Sequence, residues 1–256
     1  MSNDNGRYTN GSGGDHHEPD NDNIVRLPTA AERAWAAKLL EKERRRQQRP
    51  PHEPMINLPP VTKIILGLFI VIHLVLQFGI DDVERYRVFE HFGFVAGGYS
   101  GNAPVALWSL LLGPFTYMFL HGNWMHLIMN GAMMMAFGTG CERWMGGRRF
   151  LVLFILCGLA SAFVQFLFDP ASTNPVIGAS GGLSGLFAVV LLMMQERGLG
   201  GTSRFGIWPF IIIWIGISVI FGLMGAPGGG VIAWPAHIGG FLSGFLFFKP
   251  VMRFVR

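Results

Sequence analysis

Between residues 61 and 248 the chain is a succession of apolar runs separated by short polar segments, and this pattern limits the fold more than any other feature. A run of about 20 apolar residues, with a tolerated range of about 17–25, crosses a hydrocarbon core as a helix. Only a helix or a closed barrel satisfies all of its backbone polar groups there. The runs fall at about 61–80, 122–140, 150–168, 178–194, 205–224 and 235–248. The runs at about 178–194 and 235–248 are short, which suits helices that begin below the membrane surface and line a wet cavity. Composition agrees: 50% of the residues are hydrophobic and 14% are charged, against about a quarter in soluble domains.

The cations decide how many of these runs cross. The stretch APVALWSLLLGPFTYMFL, 103–120, is also uncharged, but Pro104, Gly113 and Pro114 interrupt it. It reads as a loop dipping into the membrane interface. With six crossings, one side receives the basic N-terminal tail and Arg143, Arg148, Arg149, Arg197, Arg204, Lys249, Arg253 and Arg256. The other side receives only Arg85 and Arg87, both among acidic neighbours. A seventh crossing would put Arg143 through Arg204 outside. The excess of Lys and Arg on the cytoplasmic side therefore selects six crossings with both termini in the cytoplasm.

Ahead of the first run, residues 1–28 are rich in Asn, Asp, Gly and Ser and read as disordered. His16 and His17 read as an incidental pair there. A helix is predicted at about 29–48, with Thr29 and Glu32 at capping-box spacing, Ala31, Trp35 and Leu39 on one face, and a strongly basic end. It suits either an anionic membrane surface or a solvated juxtamembrane position. The two cysteines, Cys141 and Cys157, make no disulfide framework. The polar first sixty residues show no cleavable signal. No nucleic-acid partner is expected.

Strongly polar side chains within membrane runs point to function. The second run opens HGNWMHLIMN, in which His126 and Asn130 are four apart on one helix face, while His121 points elsewhere. The fourth contains GASGGLSG, with Ser180 near its start and Ser184 one turn deeper. The sixth opens WPAHIGGFLSG, with His237 two residues after Pro235, a residue suited to a first helical turn. In the six-crossing topology all three runs start on the outer side. His126, Asn130, Ser180 and His237 then lie within about two turns of those starts, roughly 10 Å at 1.5 Å per residue. Gly181 and Gly185, and Gly240 and Gly244, are spaced four apart and let two helices pack backbone to backbone. That contact brings the Ser180 hydroxyl toward the His237 imidazole. A serine needs a base to become a nucleophile, an imidazole can take and return its proton, and acyl transfer needs donors for the developing oxyanion. The Ser180 backbone N–H, His126 and Asn130 supply such donors, and the set reads as a Ser–His dyad. His73, in the first run, has no polar constellation beside it in sequence and reads as structural.

These residues resemble the rhomboid family of intramembrane serine proteases. HGNWMHLIMN matches the family's His-Gly-x-x-x-His-x-x-x-Asn, GASG its Gly-x-Ser-Gly, and AHIGGFLSG its Ala-His-x-x-Gly-x-x-x-Gly, in the same order and the same runs. The resemblance covers about 60–250. It implies an all-α membrane protein, a six-transmembrane-helix bundle behind a cytoplasmic tail, that cleaves transmembrane protein substrates near their outer ends. It implies Ser180 as nucleophile and His237 as general base. His126 and Asn130 would stabilise the oxyanion, with His121, Gly178 and Gly181 in support. Glu142 resembles an acidic residue the family keeps at the end of the second helix, where a structural role is expected. No cofactor and no metal is implied. The expected organisation is a tail at 1–58, the bundle at 59–250 and a short basic C-terminus at 251–256, in a bacterial plasma membrane.

Two departures from the family pattern stand out. Ser184 occupies a position where many relatives carry an aromatic that stacks on the catalytic histidine, and Trp108 is followed by Ser109 where some relatives have a Trp-Arg pair. The loop GAPGGGVIAWP is expected to lift from the cavity to admit a substrate strand, and the fifth run, with Pro209, to shift sideways. Two other readings compete. One is a non-catalytic rhomboid-like binder of membrane helices, whose members typically lack the serine or the histidine. The other is a haem or metal protein using His126 and His237, for which no acidic or cysteine partner sits at ligand spacing.

Overall fold

The computed structural model describes residues 29–47, 57–198, 206–225 and 233–255. The tail 1–28 with His16 and His17, Arg204, Arg256 and residues 226–232 of the outer loop expected to act as a gate lie outside the described residues. The chain divides into two units, Met1–Met55 and Ile56–Arg256.

The first unit contributes α1, Ala30–Gln47. Its capping box forms as predicted: Glu32 N–H donates to Thr29 Oγ1 at 3.3 Å, and the Glu32 carboxylate accepts from the Thr29 N–H at 2.6 Å. Those Thr29 donors hold Glu32 below the usual carboxylate range.

The second unit contains α2 (Pro60–Phe78), α3 (Asp82–Phe92), α4 (Ala96–Tyr99) and α5 (Leu107–Thr116), then a 3₁₀ turn at Tyr117–Phe119. There follow α6 (Trp124–Met133), a π-helical turn at Met134–Gly138 and α7 (Thr139–Met145), which form one continuous helical run. The chain continues through α8 (Gly147–Phe168), α9 (Ser180–Glu196), α10 (Trp208–Met224) and α11 (Trp234–Phe254). Among the described residues there is no strand, only an isolated bridge between Phe94 and Val176. The architecture is all-α. Two helices, Pro60–Phe78 and Gly147–Phe168, are long and apolar enough to cross a membrane, and Leu107–Phe119, Ser180–Glu196 and Trp208–Met224 are shorter apolar helices.

The stretch 103–120 differs from its reading as a loop, since most of it is α5. Pro114 lies inside that helix and cannot donate to the Leu110 carbonyl four residues earlier. Tyr99 Oη donates to that carbonyl at 2.6 Å instead, so the helix survives its proline. Gly113 lets α5 lie against the Gly93 carbonyl, 2.7 Å from where a Cβ would stand.

The core of the bundle is α8, α9 and α11. Gly181 meets Ser161 and, one turn further along α9, Gly185 meets Cys157, one turn earlier in α8, so α8 and α9 run antiparallel. Along α11, a Cβ on Gly240 would overlap the Gly181 carbonyl, and one on Gly244 would overlap the Gly185 carbonyl, so α9 and α11 run parallel. Both small-residue pairs read from the sequence thus lie in one seam, where backbone touches backbone.

Glu142 has the structural role expected of it. Its carboxylate sits on the N-terminus of α2, accepting from the Val61 N–H at 2.9 Å, the Thr62 N–H at 2.7 Å and the Thr62 hydroxyl at 2.8 Å. An anion belongs there, because the first N–H groups of a helix lack internal acceptors and carry the positive end of its dipole. Nearby, Arg143 donates to the Asn57 carbonyl at 2.6 Å and Arg149 to the Val255 carbonyl at 2.7 Å.

Candidate active site

The other end of the bundle gathers the polar residues singled out in the sequence. Three helix starts build it. Asn123 caps α6 by accepting from the His126 N–H at 2.8 Å, which fixes His126 in the first turn. Gly178 precedes α9 with φ of 113°, and its N–H donates to the Tyr117 carbonyl at 2.8 Å. That conformation favours glycine, and a Cβ there would also overlap the His126 ring. Pro235 lies in the first turn of α11, so His237 enters one turn into the helix.

Because α9 and α11 are parallel, their starts lie side by side. His237 Nε2 stands 2.8 Å from Ser180 Oγ, hydrogen-bond distance between residues 57 apart in sequence. Ser180 is the first residue of α9, whose opening N–H groups have no intrahelical acceptor. His126 Nδ1 accepts from the Gly122 N–H at 3.5 Å, which leaves the proton on Nε2, the atom facing Gly178.

Asn130 lies one turn beyond His126 on α6. Its side-chain amide donates to the His126 carbonyl at 3.0 Å, and its Oδ1 is buried without a partner among the described residues. One of its donors therefore steadies the turn that carries His126. His121 is 1% exposed, with its ring 4.8 Å from Phe69 and 5.2 Å from His126 and neither ring nitrogen partnered among the described residues. His73, read as structural, has neighbours that its own run does not show: its Nδ1 lies 3.2 Å from the His121 carbonyl and its ring 4.7 Å from Trp124. The end of α2 packs on the start of α6, a neighbourhood that a separation of 48 positions between His73 and His121 conceals.

Ser184 donates back to the Ser180 carbonyl at 2.7 Å, an ordinary bond for a helix serine and consistent with packing. Among the described residues no aromatic ring stacks on His237. Gly181 faces Ser161 and Tyr117. Neither was singled out from the sequence. The small-residue segment CGLASA in the third run was the only signal, and it indicates close packing without saying against what. Among the described residues no group of three or more His, Cys, Asp or Glu is arranged to hold a metal.

The fold and site together define a helical bundle of membrane type with a serine and a histidine paired at the heads of two parallel helices. The Rhomboid domain family matches residues 104–254, more than half of the sequence, and the chain belongs to the rhomboid family. It is 29% identical over 195 residues to the putative rhomboid protease YdcA of Bacillus subtilis, a match covering 76% of this chain and 89% of that protein. It is 26% identical over 218 residues to rhomboid protease GluP of the same organism, covering 84% of this chain and 39% of GluP. With rhomboid protease GlpG of Yersinia pestis the identity is 24% over 187 residues, 73% of this chain and 61% of GlpG. The chain therefore spans well under half the length of one of these relatives and most of another. The family's members are membrane proteins, and relatives named as proteases support intramembrane proteolysis at the level of the family.

Proposed function

We propose that the protein is an intramembrane serine endopeptidase that hydrolyses peptide bonds in or near transmembrane segments of other membrane proteins. The observation that carries this reading is the 2.8 Å separation of Ser180 Oγ and His237 Nε2 at the shared end of α9 and α11.

The chemistry follows from that pair. His237 takes the hydroxyl proton as Ser180 attacks the scissile carbonyl, and a tetrahedral oxyanion forms. The Ser180 N–H and the His126 Nε2–H donate to it, with Asn130 holding the turn that carries His126. Collapse expels the amine, which receives the proton from His237, and leaves an acyl-enzyme on Ser180. Water, deprotonated by the same imidazole, then releases the acid. Among the described residues no carboxylate bonds to His237, and in this reading the packing of α11 orients the ring instead.

In this reading residues 59–250 form a six-crossing bundle, with the tail 1–58 and the C-terminus 251–256 in the cytoplasm of a bacterial cell. The distribution of Lys and Arg supports that orientation, which puts the Ser180 end outward and the Glu142 end inward.

Fluorophosphonate labelling of the purified protein in detergent tests the assignment. Wild type and Ser184→Ala are expected to label, and Ser180→Ala and His237→Ala are not. Labelling that persists in Ser180→Ala rejects the nucleophile.

A further inference from the structure

We propose that Ser161, on α8, is a positioning residue that sets the approach of Ser180 to His237, an inference resting on the protease reading above. Ser161 is fully buried. Its hydroxyl donates to the Ala236 carbonyl at 2.6 Å, and Ala236 is the residue before His237. The same side chain fills the space beside Gly181, the residue after Ser180: a Cβ on Gly181 would stand 2.6 Å from Ser161 Cβ and would overlap its Oγ. One side chain on a third helix thus touches the chain neighbours of both members of the pair.

The direction of the bond shows that it is more than local satisfaction. A helix serine ordinarily bonds back to the carbonyl four residues earlier in its own helix, as Ser184 does to Ser180. Ser161 reaches across to α11 instead. The Ala236 carbonyl has two lone pairs, so it has room for a donor from another helix besides one from its own.

The seam between α9 and α11 explains why such a peg matters. Gly240 lies against the Gly181 carbonyl and Gly244 against the Gly185 carbonyl, so at the turns that carry the pair the two helices meet backbone to backbone. No aromatic ring among the described residues holds His237, and its side-chain hydrogen bond goes to Ser180 itself. A displacement of about 1 Å costs on the order of 100-fold in rate when reacting groups must stay aligned. Ser161 ties α11 to α8 at the residue next to the base while α8 packs on α9 beside the nucleophile.

The test measures fluorophosphonate labelling of the full chain in detergent, resolved into kinact and KI, beside its thermal midpoint. Ser161→Ala is expected to lower kinact by about tenfold or more, with KI within about twofold and the midpoint within a few degrees of wild type. Ser161→Cys, which keeps the shape and replaces the hydroxyl with a weak donor, is expected to fall between the two. Ser243→Ala is the control. It removes a hydroxyl on α11 that bonds within the helix to Gly240, at 2.6 Å, and should leave kinact unchanged. A Ser161→Ala kinact within twofold of wild type overturns the proposal. So does a loss that Ser243→Ala reproduces in proportion to lost stability. Should Ser161→Ala fail to fold, Ser161→Cys labelling at the wild-type rate overturns it. Ser180→Ala separates the two ideas: labelling retained there defeats the protease reading itself, whereas labelling confined to Ser180 with Ser161→Ala unaffected defeats only the positioning role.

Discussion

The two ends of the helical bundle handle buried polarity in opposite ways. At the Glu142 end, one carboxylate accepts three hydrogen bonds from the start of α2, and Arg143 and Arg149 close on backbone carbonyls. Thr139 Oγ1 is a buried group near that end without a partner among the described residues. At the Ser180 end, His73 Nε2, both ring nitrogens of His121, Asn130 Oδ1 and Gln165 Oε1 are buried without protein partners among the described residues. A buried polar atom with no partner costs about 1–3 kcal/mol, and such groups persist where function needs them. One end satisfies its buried charge, and the other leaves buried polar atoms without protein partners among the described residues, which on the proposed reading is capacity kept for water and substrate.

Substitutions at the two ends should therefore separate activity from stability. The largest effect is expected from Ser180→Ala and His237→Ala, each lowering turnover by on the order of 10⁴–10⁶ while the thermal midpoint in detergent stays close to wild type. A large loss of stability in either would mean that the pair is structural. His126→Ala should lower kcat by about 10²–10³, the usual consequence of removing one oxyanion donor. A change confined to KM would assign His126 to substrate binding alone.

The opposite end gives the reverse signature. Glu142→Ala should cost about 4.5 kcal/mol or more, since hydrogen bonds to a charged group contribute about 1.5–3 kcal/mol each and three are lost. The protein that remains folded should label at nearly the wild-type rate; a matching collapse of kinact would show the two ends to be coupled. His121→Leu sharpens the contrast further. Removing a buried ring whose nitrogens have no partner should change stability by about 1 kcal/mol or less, in either direction, and any loss should appear in kcat. Smallest of all, Ser184→Ala should cost under about 1 kcal/mol and leave labelling intact, since it deletes only a bond within α9. An inactive Ser184→Ala protein would reopen the choice of serine.

Much of the fold was legible because hydropathy and helix periodicity are properties of contiguous residues. The start of α2 at Pro60, the capping box at Thr29 and Glu32, and the helix starts at Ser180 and Trp234 all fall close to the predicted boundaries. The candidate site was legible for a different reason. His126 and Asn130, Ser180 and His237 are polar residues in apolar runs, and topology alone brings their ends to one level. The stretch 103–120 was misread because its rescue is not local: Pro114 breaks a bond that Tyr99, on another element, replaces. The neighbours of His73 were not legible because they come from the His121 carbonyl and from Trp124 at the start of α6.

The sequence by itself determined an all-α chain of membrane type, the polar residues carried on its helix starts, and the small faces along which its helices meet. These follow from the cost of exposing backbone groups to hydrocarbon and from the 3.6-residue repeat, both of which act over one or two turns. Only the tertiary structure decided that Ser180 and His237 stand 2.8 Å apart, that Asn130 spends a donor on the His126 carbonyl, and that Ser161 on α8 reaches Ala236. Each is a contact of a few ångströms between separate turns or helices, and how two helices slide and rotate against each other is set by all their side chains together, which no single stretch encodes.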